Sequence, residues 1–341
     1  MMHRTGRRIS AYTIFGVAVT LALVVMNIAI ITPAAVSGAF TQHYYVAVGD
    51  SLSFGYQPTF DFSHGFADDL FADLQRAEVT AKERNTNHLE NYACAGETSV
   101  TMINGGCRGR DFLKIPYSGP QLDAVVAFML AHKGEISPVT FEIGANDVLP
   151  DWDAATCSAS SATDDHIKQV DDNLTRIDTS SDEAARDPNN TANGILQRLT
   201  NALALTPGLP RLQGPANTQA RPGDLVMLNY YNPFAKVCSN SAPFVKKLNE
   251  HLAADAAKFG IPIVDVYTAF GGDSGMAGNI CAYTWYCQPS PDIHPTRAGY
   301  EVIAAAVKGT LGYPGVNPGA QMTPPNSYTG ASVVWRRDFE S

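Results

Sequence analysis

The sequence predicts a three-layer α/β/α sandwich on a mostly parallel sheet of five strands. Between residues 40 and 311, short β-branched or aromatic runs alternate with segments of helical periodicity. Several of these runs are apolar on both faces, as strands are when helices cover a sheet from both sides. The chain has 341 residues, 45% hydrophobic and 17% charged, which is enough apolar material for a sizeable core and too little charge for a disordered protein.

Taken in order, the chain opens with Arg4, Arg7 and Arg8 ahead of an uncharged apolar run from about Ala11 to Ile31. A basic start followed by an apolar run is an export signal. Ser37 and Ala39 stand at the -3 and -1 positions of a cut before Phe40. The run is also long enough to span a bilayer, so residues 1–39 are a cleaved signal peptide, the favoured reading, or a retained N-terminal anchor. Strands are then expected at Tyr44–Val48, His88–Tyr92, Val139–Ile143, Leu225–Tyr230 and Pro262–Val266. Helices are expected between them, at Phe66–Gln75, Gln121–His132, Asn193–Leu205, Pro243–Lys258 and Thr296–Thr310. The Asp151–Pro222 stretch, rich in Asp, Ser, Thr and Asn, is long for one connection and reads as an insertion with a partly irregular start. After Leu311 the chain turns rich in Pro and Gly, so residues 312–341 read as a poorly ordered tail. Residues 40–311 are left as one large domain.

The balance of 24 Lys plus Arg against 33 Asp plus Glu gives a formal charge of -9, and nothing in it favours nucleic acid as a partner. Without residues 1–39 there remain 21 basic and 33 acidic residues, a charge of -12, which describes an acidic extracellular domain. All six cysteines, Cys94, Cys107, Cys157, Cys238, Cys281 and Cys287, lie in this part, and an even count in an oxidising compartment favours disulfides. Proximity along the chain favours Cys94 with Cys107 and Cys281 with Cys287, leaving Cys157 with Cys238. No CxxC pair or paired His spacing argues for zinc.

Sites in parallel α/β sheets sit at the carboxyl ends of the strands. Immediately after the first strand comes Gly49-Asp50-Ser51-Leu52. A Ser at a tight strand-to-helix turn suits a nucleophile whose own N–H faces a developing oxyanion, although Ser and Asp also cap helices routinely. After the second strand, Gly96 offers a backbone N–H. The third strand runs into Gly144-Ala145-Asn146-Asp147, where the Asn146 amide can donate to an oxyanion as a carboxylate cannot. Near the end, His294 sits in Ser290-Pro291-Asp292-Ile293-His294-Pro295, and an imidazole in a loop stiffened by prolines suits a general base.

These four blocks resemble the GDSL, or SGNH, hydrolase family. Gly49-Asp50-Ser51-Leu52 matches its serine block, Gly96 its glycine block, Gly144-Ala145-Asn146-Asp147 its G-x-N-D block and Asp292-Ile293-His294-Pro295 its histidine block, in the family's order. Separations of 45, 50 and 148 residues spread the matches over nearly the whole exported domain. The resemblance implies a flavodoxin-like fold and ester hydrolysis through an acyl-enzyme on Ser51. His294 would be the base, with an oxyanion hole from the N–H groups of Ser51 and Gly96 and the amide of Asn146, and no metal or cofactor would be needed. The chain departs from the family at the acid of the triad. The family usually places its Asp three residues before the His, where this chain has Pro291, and the nearest carboxylate is Asp292 at two before. Asp292 is the favoured partner of the ring, with a main-chain carbonyl of Ser290 or Pro291 the alternative.

Other readings are weaker. Gly272-Asp273-Ser274-Gly275 looks like a protease nucleophile, but it lies in a Gly-rich stretch where a plain turn is expected, and the well-set His follows it. A metallophosphoesterase would need His ligands beside Asp50 or Asp147, and none follows either. An acyltransferase or carbohydrate deacetylase would use the same four blocks, and a catalytically inactive binding domain would have no need to keep all of them. The expected partner is a small-molecule, lipid or carbohydrate ester, taken by a monomer, with membrane contact only through residues 1–39 if these are uncleaved. Phe54, Tyr56, Tyr230, Tyr231, Trp285 and Tyr286 are possible lining residues or core packing, and the insertion after Asn146 is a possible rim. Asn173-Leu174-Thr175 and Asn189-Asn190-Thr191 are glycosylation sequons in a host that glycosylates.

Overall fold

The computed structural model describes residues 43–81, 86–204 and 225–312. The expected export segment, residues 1–39, the tail beyond Gly312 and the end of the insertion lie outside the described residues. Five parallel strands form the sheet: β1 (His43–Val48), β2 (Thr86–Asn91), β3 (Ile136–Phe141) and, beyond a two-stranded ribbon of β4 (Trp152–Asp153) and β5 (Ser158–Ala159), β6 (Leu225–Leu228) and β7 (Ile263–Val264). Their order is β2-β1-β3-β6-β7. The chain leaves β1 towards β2 and returns to lay β3 on the other side, so the carboxyl ends of β1 and β3 frame the point where the winding reverses, the place such sheets reserve for ligands. Every residue of β1 and β3 is buried, as the doubly apolar runs predict.

The expected helices are present as Phe66–Ala81, Gln121–Ala131, Ile195–Ala204, Ala242–Lys258 and Arg297–Leu311. Thr296 caps the last of these by accepting from the N–H of Gly299.

The insertion is more regular than its composition suggests. It opens on the β4–β5 ribbon and continues through helices Thr163–Thr175 and Asp182–Arg186. In the first of these helices Ile167, Val170 and Leu174, spaced three and four apart, are buried under an otherwise polar sequence. Around Ser274 the expected turn is instead the first turn of a helix, Gly272–Tyr283. Each interior Gly weakens a helix, but Met276, Ile280 and Tyr283 recur at helical spacing and are buried, which offsets that cost. The disulfides are Cys94–Cys107, Cys157–Cys238 and Cys281–Cys287, the set favoured by proximity. Among the described residues no helix is long and apolar enough to cross a membrane.

Candidate active site

The turn after β1 brings the chain closer to β3 than any side chain permits. Gly49 has φ +145, and a Cβ there would lie 2.4 Å from the Glu142 carbonyl oxygen and 2.5 Å from Glu142 Oε1. Ser51 is therefore presented at the first position of a short helix, Ser51–Phe54, capped by the Asp50 carboxyl, which accepts from the N–H of Leu52 at 2.9 Å. Being at the helix start, the Ser51 N–H has no intrahelical acceptor, and neither it nor the Gly96 N–H is engaged among the described residues.

His294 reaches this turn across 243 residues of sequence, its Nε2 lying 2.8 Å from Ser51 Oγ. Its Nδ1 lies 2.7 Å from Asp292 Oδ1, which also accepts the His294 backbone N–H at 2.8 Å. One oxygen thus takes both groups in an Asx-type turn, and that is how an aspartate two residues before the histidine serves where three is the usual spacing. With Nδ1 donating to the carboxylate, Nε2 is left to accept from the Ser51 hydroxyl. Burial opposes ionisation of Asp292, but the hydrogen bonds and charge of His294 outweigh it and hold the carboxyl below its ordinary value. The loop is fixed at its back by the Tyr231 hydroxyl donating to the Ile293 carbonyl at 2.5 Å and the Trp285 N–H donating to the His294 carbonyl at 3.0 Å.

Asn146 follows β3 through Gly144, whose φ is +112 and whose missing side chain leaves room for Val170 and Leu248. Its amide donates one hydrogen to the Glu97 carbonyl at 2.9 Å, which leaves the second for a ligand. Asp147 accepts from the N–H and hydroxyl of Ser99 at 2.9 and 2.6 Å, tying the loop that carries Gly96 to the end of β3. Asn173 in turn donates to Ser99 Oγ at 2.9 Å, so the amide of the first sequon is engaged inside the protein. Ser51, Asn146 and His294 line one cleft of about 660 Å³, open mouth included. Its far walls are apolar: Val148, Leu149, Pro233, Phe244, Val245 and Leu248.

Beneath the turn lies a polar layer that the sequence did not single out. Glu142 Oε1 accepts the N–H groups of Asp50 and Ser53 at 2.8 and 3.0 Å, and the Tyr230 hydroxyl lies 2.8 Å from Glu142 Oε2 and 3.0 Å from Asp50 Oδ2. Gln121 bonds both the N–H and the carbonyl of Gly49, and its amide donates to Glu97 Oε2 at 2.8 Å. Burial, partly offset by hydrogen bonds from Thr101 and Gln121, lifts the Glu97 carboxyl to about 7. The available signal was a lone Glu in the apolar run of β3, with nothing near it in sequence to satisfy it.

The aromatic residues divide. Tyr230 and Tyr231 line the cleft, Phe54 is buried in the body, and Trp285 and Tyr286 lie outside the lining. Tyr56 packs on the His294 ring with centroids 4.5 Å apart. The insertion contributes to the rim indirectly, since Trp152 packs at a tilt against Phe244, a cleft residue, with centroids 5.0 Å apart. One grouping of metal-ligand type occurs among the described residues, Cys94, Glu97 and Cys107, and both of its sulfurs are committed to a disulfide.

No curated protein sequence matches the chain. Among solved structures, the chain resembles a phospholipase A1 from Streptomyces albidoflavus at 17% identity, covering 79% of this chain and 99% of that one with a TM-score of 0.41. It also resembles an extracellular lipase from Streptomyces rimosus, at 17% identity, 79% and 99% coverage and a TM-score of 0.43. An acetylxylan esterase from Geobacillus stearothermophilus matches at 13% identity, 82% and 99% coverage and a TM-score of 0.47. The family model of the GDSL-like lipase/acylhydrolases matches residues 47–302, a span running from β1 through Ser51, Gly96 and Asn146 to His294 and the last helix, and the chain belongs to that family of ester hydrolases.

Proposed function

We propose that the protein is an exported serine esterase that hydrolyses carboxylic esters through an acyl-enzyme on Ser51. The observation that carries this is the relay Ser51 Oγ to His294 Nε2 at 2.8 Å and His294 Nδ1 to Asp292 at 2.7 Å, in one cleft with Asn146, whose amide keeps one hydrogen free. In acylation His294 takes the Ser51 proton as Oγ bonds to the ester carbon. The carbonyl oxygen becomes an oxyanion held by the N–H groups of Ser51 and Gly96 and the free hydrogen of the Asn146 amide. The C–O bond to the alcohol then breaks, and His294 returns its proton to the departing oxygen. Water, deprotonated by the same imidazole, then bonds to the acyl carbon, the bond from that carbon to Ser51 Oγ breaks, and His294 returns the proton to Oγ as the acid leaves. Asp292, ionised throughout, fixes the ring and stabilises its cationic form.

The apolar walls of the cleft favour an acyl chain over a charged group. Export is supported by the basic-then-apolar start and by three disulfides. The reading has the protein act as a monomer, with the ester as its partner.

The test is pre-steady-state hydrolysis of p-nitrophenyl butyrate. A burst of one p-nitrophenol per chain is expected, with labelling of Ser51 by a serine-directed phosphonate and a kcat at least ~10⁴-fold lower in Ser51→Ala. The absence of both burst and label would overturn the reading.

A further inference from the structure

Four large hydrophobic side chains are exposed among the described residues: Phe60 at 53%, Phe112 at 45%, Ile177 at 45% and Val237 at 53%. Two of the four meet at one place. Phe62 contacts Phe60 and Phe112 edge-on, each with centroids 6.0 Å apart, and stacks on Tyr56 at 5.7 Å. Tyr56 is the residue that lies against the His294 ring, and it is anchored by its N–H to the Ser51 carbonyl at 2.9 Å and by the Tyr300 hydroxyl to its own carbonyl at 2.7 Å. A row of rings therefore runs from the imidazole to the surface. Phe60 stands in the row with φ +60, a backbone conformation that costs a bulky residue free energy and that Asn or Gly would adopt with less strain.

None of Tyr56, Phe60, Phe62 and Phe112 lines the apolar cleft, so the row is apolar surface additional to the cleft walls, joined to His294 through Tyr56. The reaction assigns the two surfaces. The ester carbon sits on Ser51 with its oxygen towards Gly96 and Asn146, and its two substituents diverge from there. The alkoxy oxygen must come within reach of His294 Nε2 to collect the proton, so the alcohol portion leaves past the imidazole, where Tyr56 begins the row. The acyl portion is left to the cleft beside Asn146 and Leu149. Phenyl rings offer faces and edges but no hydrogen-bonding groups of their own, which suits an alkyl or aryl alcohol.

We propose that Phe60, Phe62 and Phe112 form an alcohol-side subsite that selects esters of apolar or aromatic alcohols, an inference that rests on the acyl-enzyme reading above. The test compares the full chain with the double variant Phe60→Asn/Phe112→Ser, whose changes lie at exposed positions. Butyrate esters of ethanol, hexanol and benzyl alcohol are used below their aggregation concentrations, together with ethyl esters of acids of two to eight carbons. The variant is expected to lose about tenfold in kcat/KM on benzyl and hexyl butyrate, less than twofold on ethyl butyrate, and to keep the acyl-length profile. Because alcohol release is reversible, transfer of butyryl from the enzyme to added benzyl alcohol, relative to water, should fall by the same factor. Phe60→Tyr/Phe112→Tyr should restore both. Equal losses on ethyl and benzyl esters, or an altered acyl profile, would overturn the subsite while leaving the hydrolase reading intact. So would a loss that is absent below the aggregation concentration and appears only when hexyl butyrate is raised above it, which would assign the row to a lipid–water interface. Absence of any acyl-enzyme in the unmodified protein would overturn both.

Discussion

Ser51 stands between two aspartates, and the regions that hold them treat the same side chain in opposite ways. In the histidine loop, Asp292 meets the His294 imidazole, and despite partial burial its carboxyl is held below the ordinary value. In the turn after β1, Asp50 is 1% exposed and meets Glu142, and burial together with that second carboxylate pushes it well above the ordinary value. Hydrogen-bond counting agrees. The Tyr230 hydroxyl has one proton and lies within reach of oxygens on both Asp50 and Glu142. The second bond needs a carboxyl proton. Glu142 Oε1 already accepts two backbone N–H groups, so the proton sits best on Asp50 Oδ2, donating to Tyr230, which donates to Glu142. Sequence proximity to Ser51 does not decide which aspartate is the anion beside it; the group each one faces does.

The sharpest way to break this comparison is Asp292→Asn. The amide cannot hold the imidazole in the tautomer that leaves Nε2 free, and it does not stabilise the imidazolium, so kcat/KM at pH 7 is expected to fall roughly 10³- to 10⁴-fold, about 4 to 5.5 kcal/mol of transition-state stabilisation. The stability signature has a definite sign. A carboxyl whose pKa is lowered on folding stabilises above the ordinary carboxyl range and loses that contribution as pH falls through the folded value. The variant should lack this acid-side loss in urea titrations between about pH 5 and pH 2. A rate within about threefold of the parent would hand the orienting role to a main-chain carbonyl and remove one side of the comparison.

The two regions also differ in how far the sequence revealed them. The histidine loop could be read because its parts are neighbours: Asp292, His294 and the prolines lie within five residues, and the doubt about the off-by-one aspartate is resolved by a turn two residues long. The layer under Ser51 could not, because Asp50 and Glu142 are 92 residues apart and Glu142 and Tyr230 are 88 apart. They meet only through the sheet, where β1 pairs with β3 and β3 with β6. The fold shows the same division. β1 and β3 announce themselves by composition, whereas the Thr163–Thr175 helix hides its three buried apolar residues among Asp, Asn, Lys and Gln, and the Gly272–Tyr283 helix hides behind its glycines.

The next effect in size separates hydrogen bonding from charge beneath the turn. Glu142→Leu leaves the N–H groups of Asp50 and Ser53 buried without acceptors and is expected to cost about 3 kcal/mol of unfolding free energy or more. Glu142→Gln keeps an oxygen for both N–H groups and turns its amide to Tyr230, so it should lose far less despite removing the charge. Chemical denaturation of the two variants side by side checks this. Equal destabilisation would mean that the charge, not the acceptor, holds the turn.

The smallest expected effect at pH 5 is that of Asp50→Asn, and it tests the neutral carboxyl directly. An asparagine there reproduces a protonated aspartate: its oxygen accepts the Leu52 N–H and its amide donates to Tyr230, which goes on donating to Glu142. Turnover should therefore stay within a few-fold of the parent. The linkage sign is opposite to that of Asp292. A carboxyl whose pKa is raised on folding contributes fully below the unfolded value near 4, and that contribution is lost as pH rises towards the folded value. Stability of the variant relative to the parent should thus climb by about 1.4 kcal/mol for each pH unit above 4 until Asp50 ionises. An asparagine variant that is instead less stable than the parent as pH rises would require Asp50 to be ionised beside Glu142. Two adjacent carboxylates would then oppose the oxyanion proposed to form at the N–H of Ser51, and both aspartates flanking Ser51 would have to be anions.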